Sequence, residues 1–366
     1  GLSLQNPYWT QNRIRRTSDK KRYMLNASLK WKVTDWLNIT GRVNLDNSDY
    51  RNKTEKYAST LATFCSVNGG FEDAMRQERS LYTDLMATVD KTFGDFRLNT
   101  NIGMSLYHTS MQTIGFAGDL IIPNFFALNN INYAANYKPL PDGYDDEVQS
   151  IFANVELGWR SQLYLTLTGR NDWNSRLVNT DEESFFYPSV GLSAIVTEMF
   201  DLPDFISYLK VRGSYTEVGS PVSRSGLTPG TVTVPIEGGA LKEDMIYPFT
   251  DFKAERTRSY ELGLSVRLWN KLSAEVTYYK SNTYNQTFIG DLPEFSGYKQ
   301  IYLQAGNVQN HGWEASLGYR DSFGDFSFSS NLTFSRNVNE IKERVENYRT
   351  DMIPEPINVP EVRKDN

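Results

Sequence analysis

The sequence has a single cysteine, Cys65, and only two histidines, His108 and His311, among its 366 residues. One cysteine excludes an internal disulfide and any multi-cysteine zinc site, and two histidines leave almost no room for a histidine-based metal centre. No run of about 18 apolar residues exists, which excludes a transmembrane helix. No charged-then-apolar segment opens the chain either, so the sequence predicts no signal peptide.

Basic residues are also fewer than acidic ones. Lys and Arg total 38 against 44 Asp and Glu, which gives a formal net charge of -6. This acidic balance argues against nucleic-acid binding. The Gly-x-Ser-x-Gly, His-Glu-x-x-His and Gly-x-x-x-x-Gly-Lys-Ser/Thr motifs are absent, and neither histidine is paired in sequence with an activated nucleophile. We therefore expect no enzyme activity, no cofactor and no metal.

The dominant pattern that is present has a period of two residues. Between 96 and 106, the even positions are almost all apolar, including Leu98, Ile102 and Met104, while the odd positions are polar or small. Such alternation predicts a β-strand with different surroundings on its two sides. About twelve segments of about 10–14 residues share it, a length that suits transmembrane strands better than the ~5–6 residues usual in soluble sheets.

The connections between these segments differ at the two ends. Short turns are predicted at 34–36, 94–95, 160–161, 270–271 and 321–325, whereas long loops are predicted near 49–79, 112–146, 219–254 and 285–305. Short turns at one end and long extracellular loops at the other are typical of outer-membrane barrels. The predicted fold is all-β, a transmembrane antiparallel up-and-down β-barrel, with 1–366 forming one partial barrel domain in the cell outer membrane.

Aromatic residues, among them 22 Tyr and 20 Phe, cluster at the ends of the predicted strands. Trp31, Trp36 and Trp159 are examples beside the short turns. The cluster beside the long loops comprises Trp173, Phe185, Phe186, Tyr187, Tyr278, Tyr279 and Tyr284. Two such clusters predict aromatic girdles at the two membrane interfaces. The alternative is that aromatic residues simply favour strands, which explains their number but not their placement.

Charged residues at the polar positions of the strands are expected to face the barrel lumen. They are Arg42, Arg97, Glu156, Arg212, Glu261, Arg267 and Glu275. Rows of charge inside a barrel usually pack against a plug or line water, so contact with a substrate is a minority role for any one of them.

Two polar clusters near predicted loops are candidate sites. Arg170, Asp172 and Trp173, in the sequence GRNDW, are candidates for contact with a substrate or a partner. The alternative is that Arg170 and Asp172 fix a loop base by hydrogen bonds while Trp173 belongs to the girdle. The acidic loop 142–147 offers carboxylates for a hard cation but lacks the ligand spacing of a calcium loop, so a solvated loop is favoured there.

Eight stretches in order along the chain resemble the barrel of SusC/RagA-type TonB-dependent outer-membrane transporters. They are NPYWT at 6–10, GDLIIPNFF at 118–126, LYLTLTGRNDW at 163–173, FYPSVG at 186–191, LKVRGSY at 209–215, ERTRSYELG at 255–263, YYKSN at 278–282 and GNVQNHGWE at 306–314. The resemblance implies a 22-stranded barrel around an N-terminal plug. Since neither the plug nor the final strands have a counterpart here, we interpret the chain as part of a longer protein.

The resemblance also implies a function. We expect import of large nutrients, oligosaccharides or peptides, with a SusD-like surface lipoprotein as partner and energy from TonB acting through the N-terminal region. Outer-membrane lipid would surround the barrel. Two alternatives stay open: a passive porin with a charged constriction loop, and a soluble β-sheet adhesin or carbohydrate-binding protein whose apolar faces pack on each other.

Overall fold

The described part of the chain consists almost wholly of β-strands. The computed structural model describes residues 5–178, 180, 182–220, 236–237, 240–241, 246–247, 253–293, 298, 300–343, 348–350 and 353–357. The helices are α1 (Pro7–Arg13), α2 (Val196–Met199) and two 3₁₀ helices, Leu128–Asn130 and Ser175–Leu177. Within these residues, no helix combines the length and the apolarity needed to cross a membrane.

Twelve long strands, of 12 to 24 residues each, form the framework. They are β1 (Ile14–Lys32), β2 (Leu37–Lys56), β3 (Gly70–Phe93), β4 (Phe96–Asp119), β6 (Asp142–Trp159), β7 (Leu163–Asn174), β8 (Ser184–Ile195), β9 (Ile206–Ser220), β13 (Glu255–Leu268), β14 (Leu272–Asp291), β15 (Gln300–Phe323) and β16 (Phe326–Glu343). The short strands are β5 (Lys138–Pro139), β10 (Ile236–Glu237), β11 (Ala240–Leu241), β12 (Ile246–Tyr247), β17 (Tyr348–Thr350) and β18 (Ile353–Ile357).

The long strands belong to one 14-stranded sheet, which β5 and β12 complete. Each long strand pairs antiparallel with the next one along the chain, from β1 to β16. Among the described residues, β1 and β16 are not paired with each other, so the sheet stays open. The structure confirms the predicted all-β meander with about twelve strands of membrane-spanning length.

The sheet has one apolar and one polar face. In β4, Ile102 and Met104 project from the apolar face and are 55% and 57% exposed, while Ser105 projects from the other face and is buried. The register continues this alternation across the sheet, because Met104 is opposite Leu85 of β3 and Ile151 of β6. Two faces of different polarity are what a barrel wall between lipid and water requires.

The short turns lie where the sequence predicts them. Gly94 and Gly324 adopt positive φ angles of 58° and 61° within their turns. Arg160 and Ser161 have φ angles of 50° and 59°, so both central residues of this turn are left-handed. Two left-handed residues match the right-handed twist of a hairpin, which allows a tight connection.

Neighbouring turns are joined to each other. The Arg160 guanidinium donates from Nε and Nη2 to Asp95 Oδ2 at 2.9 and 2.8 Å, and the Arg160 N–H donates to the Asp95 carbonyl at 2.8 Å. Asp95 belongs to the β3–β4 turn and Arg160 to the β6–β7 turn. Main chain and side chain therefore tie these two hairpins together at their closed ends.

The strands extend further into the long-loop end than the sequence pattern predicts. The connections predicted at 49–79 and 112–146 are 57–69 and 120–141 in the structure, and within the range predicted at 285–305 the strand β14 continues to Asp291 and β15 begins at Gln300. Most of the loop predicted at 219–254 lies outside the described residues. At the first of these connections, the difference arises because β2 and β3 continue as a paired hairpin with polar residues on both faces, a composition that resembles a loop.

Two of the long connections, 57–69 and 120–141, pack together into a small folded unit that we call the loop cap. Its core contains Leu120 and Ile131, which are 2% and 0% exposed, together with Phe71 at the start of β3. The rings of Phe116, Phe126 and Tyr137 pack against this core. Apolar burial of this kind lets a loop hold one conformation.

Hydrogen bonds cross between the two connections of the loop cap. The Asp119 carboxylate accepts from the Ser66 N–H at 2.8 Å and from Asn136 Nδ2 at 2.6 Å. Asn68 Nδ2 donates to the Ile121 carbonyl at 2.9 Å. These polar contacts satisfy backbone groups that the absence of a strand ladder would leave unpaired.

Cys65 reports on the folding of the loop cap. It is buried, and burial raises the pKa of its thiol. The thiolate is the reactive form of cysteine. The folded cap therefore protects Cys65 in two ways: it blocks the approach of reagents, and it lowers the fraction of the thiol that is ionised.

We expect Ile131→Ala to open the cap, since removing a fully buried side chain costs about 2–5 kcal/mol. The rate of maleimide modification at Cys65, measured by peptide mass spectrometry on the full-length protein, should rise at least about tenfold. Ile122→Ala is the control, because Ile122 is exposed within the same cap. Equal rates in the two variants would contradict the cap core described here.

Candidate functional site: the polar face of the sheet

The polar face collects the charged residues that the sequence assigns to the barrel interior. The alternation of each strand places all seven of them on this face: Arg42, Arg97, Glu156, Arg212, Glu261, Arg267 and Glu275. Several are paired with charges from a neighbouring strand. Most of the charge on this face is therefore paired within the sheet.

Two arginines of the polar face form ion pairs with aspartates of β3. Arg42 Nε lies 3.0 Å from both carboxylate oxygens of Asp84, whose side chain is fully buried. Arg97 donates from Nε and Nη2 to Asp90 at 3.2 and 2.9 Å, in a more exposed setting. Loss of Arg42 would destabilise the fold more than loss of Arg97, because it would leave the buried Asp84 carboxylate without a partner.

Arg212 forms the largest charged cluster. Its Nη2 lies 3.3 Å from Glu261 Oε1, its Nη1 lies 2.5 Å from Glu275 Oε1, and Nη2 also donates to Thr277 Oγ1 at 2.9 Å. Arg212 is on β9, whereas Glu275 is on β14, two strands away. The structure thus brings together three of the sequence-predicted residues around one guanidinium.

Gly263 of β13 makes this reach across two strands possible. A Cβ atom at Gly263 would lie 2.6 Å from Arg212 Nε and 2.8 Å from its Cζ. The guanidinium therefore lies flat over the glycine on its way to Glu275. A larger residue at this position would displace the Arg212 side chain from the sheet.

The two remaining residues are less strongly held. The Arg267 guanidinium lies 5.8 Å from the ring centroid of Tyr208, its register partner on β9. Glu156 is exposed and opposite Asn99 of β4. Both are free to meet water or another chain segment on the polar face.

Arg170 and Asp172 are brought together near the long-loop end of β7. Arg170 Nε donates to Asp172 Oδ1 at 2.7 Å, and its Nη2 donates to Ser150 Oγ at 2.8 Å. The Tyr187 hydroxyl donates to Asp172 Oδ2 at 2.5 Å. Trp173 projects from the opposite, apolar face of the strand, so it does not share a surface with this cluster.

The predicted girdle at the long-loop end needs a correction. Phe186 and Tyr278 project from the apolar face, as a girdle requires, but Phe185, Tyr187 and Tyr279 project from the polar face. The physical reason is the period of two, because neighbouring residues in a strand cannot face the same side. Tyr187 is instead a partner of Asp172.

The residues that sequence reasoning missed are the partners of those it found. Asp84 and Ser150, and Tyr187 which the sequence analysis placed in the girdle, lie on the polar face by the same alternation that identified Arg42. That signal gives a face for each residue but no pairing, since pairing depends on the register between strands. Nothing in the sequence marks Gly263 as part of a charged cluster.

The acidic segment 142–147 is part of β6 rather than a loop, which corrects the sequence prediction. Asp146 pairs with Arg176 at 2.8 Å, and His108 Nδ1 lies 3.4 Å from Asp145. Within the described residues, no group of three or more His, Cys, Asp or Glu side chains is arranged to hold a metal ion. The arrangement of this face suits ion pairing and solvation.

Replacing Gly263 tests the description of the Arg212 cluster. Gly263→Ala should lower the free energy of unfolding of the full barrel by about 1–3 kcal/mol, because the methyl group displaces Arg212. Heat-modified electrophoretic mobility measures this unfolding. In an Arg212→Ala background, the same substitution should cost almost nothing.

Gly191→Ala provides the matched control on the polar face. A Cβ atom there would come no closer than 3.8 Å to a neighbour, so the stability should not change. An equal cost of Gly263→Ala with and without the Arg212 side chain would refute the role given to Gly263.

Comparisons with known proteins agree with this architecture. Residues 1–361 match the family described as "TonB dependent receptor-like, beta-barrel". TonB-dependent receptor P3 of Formosa agariphila is 27% identical over 300 residues, which cover 77% of this chain and 29% of that protein. TonB-dependent receptor P39 of the same organism is 24% identical over 269 residues, covering 69% of this chain and 25% of that protein.

Solved structures share the fold. The RagAB peptide importer in its "open-open" state matches with a TM-score of 0.80 and 19% identity, over 92% of this chain and 38% of that chain. The siderophore receptor PiuA of Acinetobacter baumannii matches with a TM-score of 0.56 and 14% identity, over 88% and 47% of the two chains. The chain thus spans well under half the length of the curated relatives and of RagAB.

These matches confirm the resemblance to TonB-dependent outer-membrane transporters that the sequence shows, and the RagAB likeness shows the same fold. Proteins of this family are transporters rather than enzymes, and their barrels lie in the outer membrane. The apolar face of the sheet is accordingly the lipid-facing side. Family match, strand order and the two-faced wall lead to one conclusion: the chain is part of the β-barrel of a member of the TonB-dependent receptor family.

Proposed function

We propose that this barrel imports large nutrients, oligosaccharides or peptides, together with a SusD-like surface lipoprotein and with energy supplied by TonB. The similarity to the RagAB peptide importer supports a two-component system. The chain covers 29% of receptor P3, so the contact with TonB would belong to a region outside the chain. Membership of an outer-membrane family leaves a soluble adhesin without support.

The folded loop cap is the observation that carries this proposal. Its inner side has an apolar core, yet its outer side presents many large apolar residues to solvent. These are Phe64, Val67, Ile121, Ile122, Phe125, Leu128 and Tyr133. Exposed apolar patches on an ordered surface mark sites of contact with other proteins. A lipoprotein lid that closes over the long-loop end would cover them.

The paired charges of the polar face also favour a plugged transporter over an open porin. A porin constriction relies on opposed free charges that act across water. Here Arg42, Arg97 and Arg212 are engaged with carboxylates of the wall itself. Such a wall suits a plug of similar polarity that moves during transport.

Arg170 is proposed as a contact for the ligand on its path through the barrel, with Asp172 as its positioning residue. The Arg170 side chain is 39% exposed, whereas the Asp172 side chain is only 10% exposed. Arg170 therefore offers donors to a passing ligand, while Asp172 holds the guanidinium in place.

Growth of cells that lack the full-length gene tests the proposed import. Growth on one glycan or peptide as sole nutrient should be lost and then restored by the intact gene. A copy that lacks the TonB-contacting segment should not restore it. Restoration by that shortened copy would point to a passive pore and refute TonB-dependent import.

Substitution at Arg170 tests its proposed contact. Arg170→Gln should lower uptake of the identified nutrient by about tenfold, the effect of losing a charge-assisted hydrogen bond of about 1.5 kcal/mol. Trp173→Phe, on the opposite face, should leave uptake unchanged. Both variants must reach the wild-type surface level, measured by immunoblotting. Unchanged uptake in Arg170→Gln would remove Arg170 from the ligand path.

A further inference from the structure

A group of four cations lies on the lipid-facing side of the sheet, on β13, β14 and β16. We call it the basic patch, and it consists of Arg256, Arg258, Lys280 and Arg336. The period of two and the register between strands place these residues on the same face as the aromatic residues Tyr260, Tyr278 and Trp313. Charge on this side of a membrane strand is costly except near the edge of the hydrocarbon.

The basic patch lies at the depth where the hydrocarbon ends. Arg258, Lys280 and Arg336 are eight to ten residues from the short-turn ends of their strands. At about 3.3 Å per residue and a strand tilt of about 40°, this separation corresponds to a height of about 20–25 Å, close to the ~25 Å of the apolar band of such barrels. Between these cations and the short turns, the lipid-facing positions of the three strands, all within the described residues, carry no charge. The patch therefore lies at the level of the lipid head groups on the long-loop side.

Two arginines of the basic patch share one carboxylate. Arg256 Nη1 lies 2.8 Å from Glu217 Oε1, and Arg258 Nε lies 3.3 Å from Glu217 Oε2. The Tyr215 hydroxyl donates to Glu217 Oε2 at 3.0 Å. The Arg258 guanidinium also lies 5.4 Å from the ring centroid of Tyr284, yet its side chain is 48% exposed. Glu217 thus holds both arginines in place while neutralising only one of their two charges.

The other two cations of the basic patch have no carboxylate of their own. Within the described part of the chain, neither Lys280 nor Arg336 has an ion-pair partner. Glu340, the acidic residue on the same face of β16, pairs with Lys342. The patch therefore keeps an excess of positive charge, which favours a ligand that brings negative charge.

The surface between the basic patch and the short turns suits acyl chains. The rings of Tyr278 and Trp313 lie beside the patch with their centroids 4.8 Å apart, at the level where aromatic residues meet the membrane interface. Large apolar side chains on the same face are more than one-third exposed, namely Leu262, Leu264, Val276, Leu317 and Phe334. The cations and this apolar surface together match a molecule with an anionic head and apolar chains.

We propose that the basic patch binds the phosphate group of an anionic membrane lipid, whose acyl chains lie over the apolar surface beside it. Arginine and lysine bind phosphate through charge-assisted hydrogen bonds, and a guanidinium makes two of them at once. A soluble partner fits less well, because the aromatic and apolar residues next to the patch lie in the bilayer. The lipid would hold this part of the barrel in the leaflet on the long-loop side, independently of the nutrient that the transporter carries.

Native mass spectrometry of the full-length transporter tests the site. The detergent-purified protein is mixed with the phosphorylated glycolipid lipid A and with its dephosphorylated form, which has the same acyl chains. The wild type should retain lipid A over the dephosphorylated form by about tenfold, which corresponds to about 1.4 kcal/mol. The double variant Lys280→Gln/Arg336→Gln should lose this preference and leaves Glu217 with both of its arginines. Equal retention of the two lipids by the wild type would overturn the proposal.

Lys21→Gln/Arg79→Gln is the matched control. It removes the same charge from the same face of the sheet, on β1 and β3, outside the basic patch. This variant should keep the wild-type preference for lipid A. If it loses the preference as fully as Lys280→Gln/Arg336→Gln does, overall charge retains the lipid and the basic patch is refuted as the site.

Heat-modified mobility gives a second, independent readout and verifies that each variant is folded. A ligand that binds only the folded protein stabilises it. Lipid A should therefore raise the unfolding temperature of the wild type and of the control variant, but not that of Lys280→Gln/Arg336→Gln. An equal rise in all three proteins would exclude the basic patch as the site.

Discussion

Inside a bilayer, a backbone N–H or C=O group without a protein partner costs several kcal/mol, since no water is present to replace the bond. This constraint explains why the chain is a meander of long strands in which each strand pairs with its neighbour in sequence. It also explains why the strands are longer than those of soluble sheets. Once the ladder is fixed, the period of two assigns every side chain either to lipid or to the barrel interior.

The polar interior is organised by pairing charge across strands. Arg42 reaches Asp84 on the next strand, while Arg212 passes over Gly263 to reach Glu275. These contacts make the wall nearly neutral without making it apolar, so the wall can face water or a polar protein surface. At the long-loop end, the ladder gives way to the loop cap, where burial of Leu120 and Ile131 holds the chain together and the side chains of Asp119 and Asn68 satisfy backbone groups.

Much of this architecture could be predicted from the sequence, because alternation is a local signal. It placed all seven charged residues on one face of the sheet and predicted the positions of the short turns. It failed where the signal is not local. Polar residues on both faces of β2 and β3 suggested loops, although the ladder continues there. The pairing of Arg212 with Glu275 depends on a register across three strands and on the absence of a side chain at Gly263, which no single segment encodes.

The contact between Asp95 and Arg160 helps to keep the polar and apolar faces of the sheet distinct. A slip of β4 against β6 by one residue would send every side chain of one strand to the wrong face, placing charges such as Arg97 in lipid. Arg160 binds Asp95 through both its backbone N–H and its guanidinium, and both bonds form only in the native alignment. The contacts between the two turns thus fix the register of β4 against β6. They thereby determine which face of the sheet is polar and which is apolar.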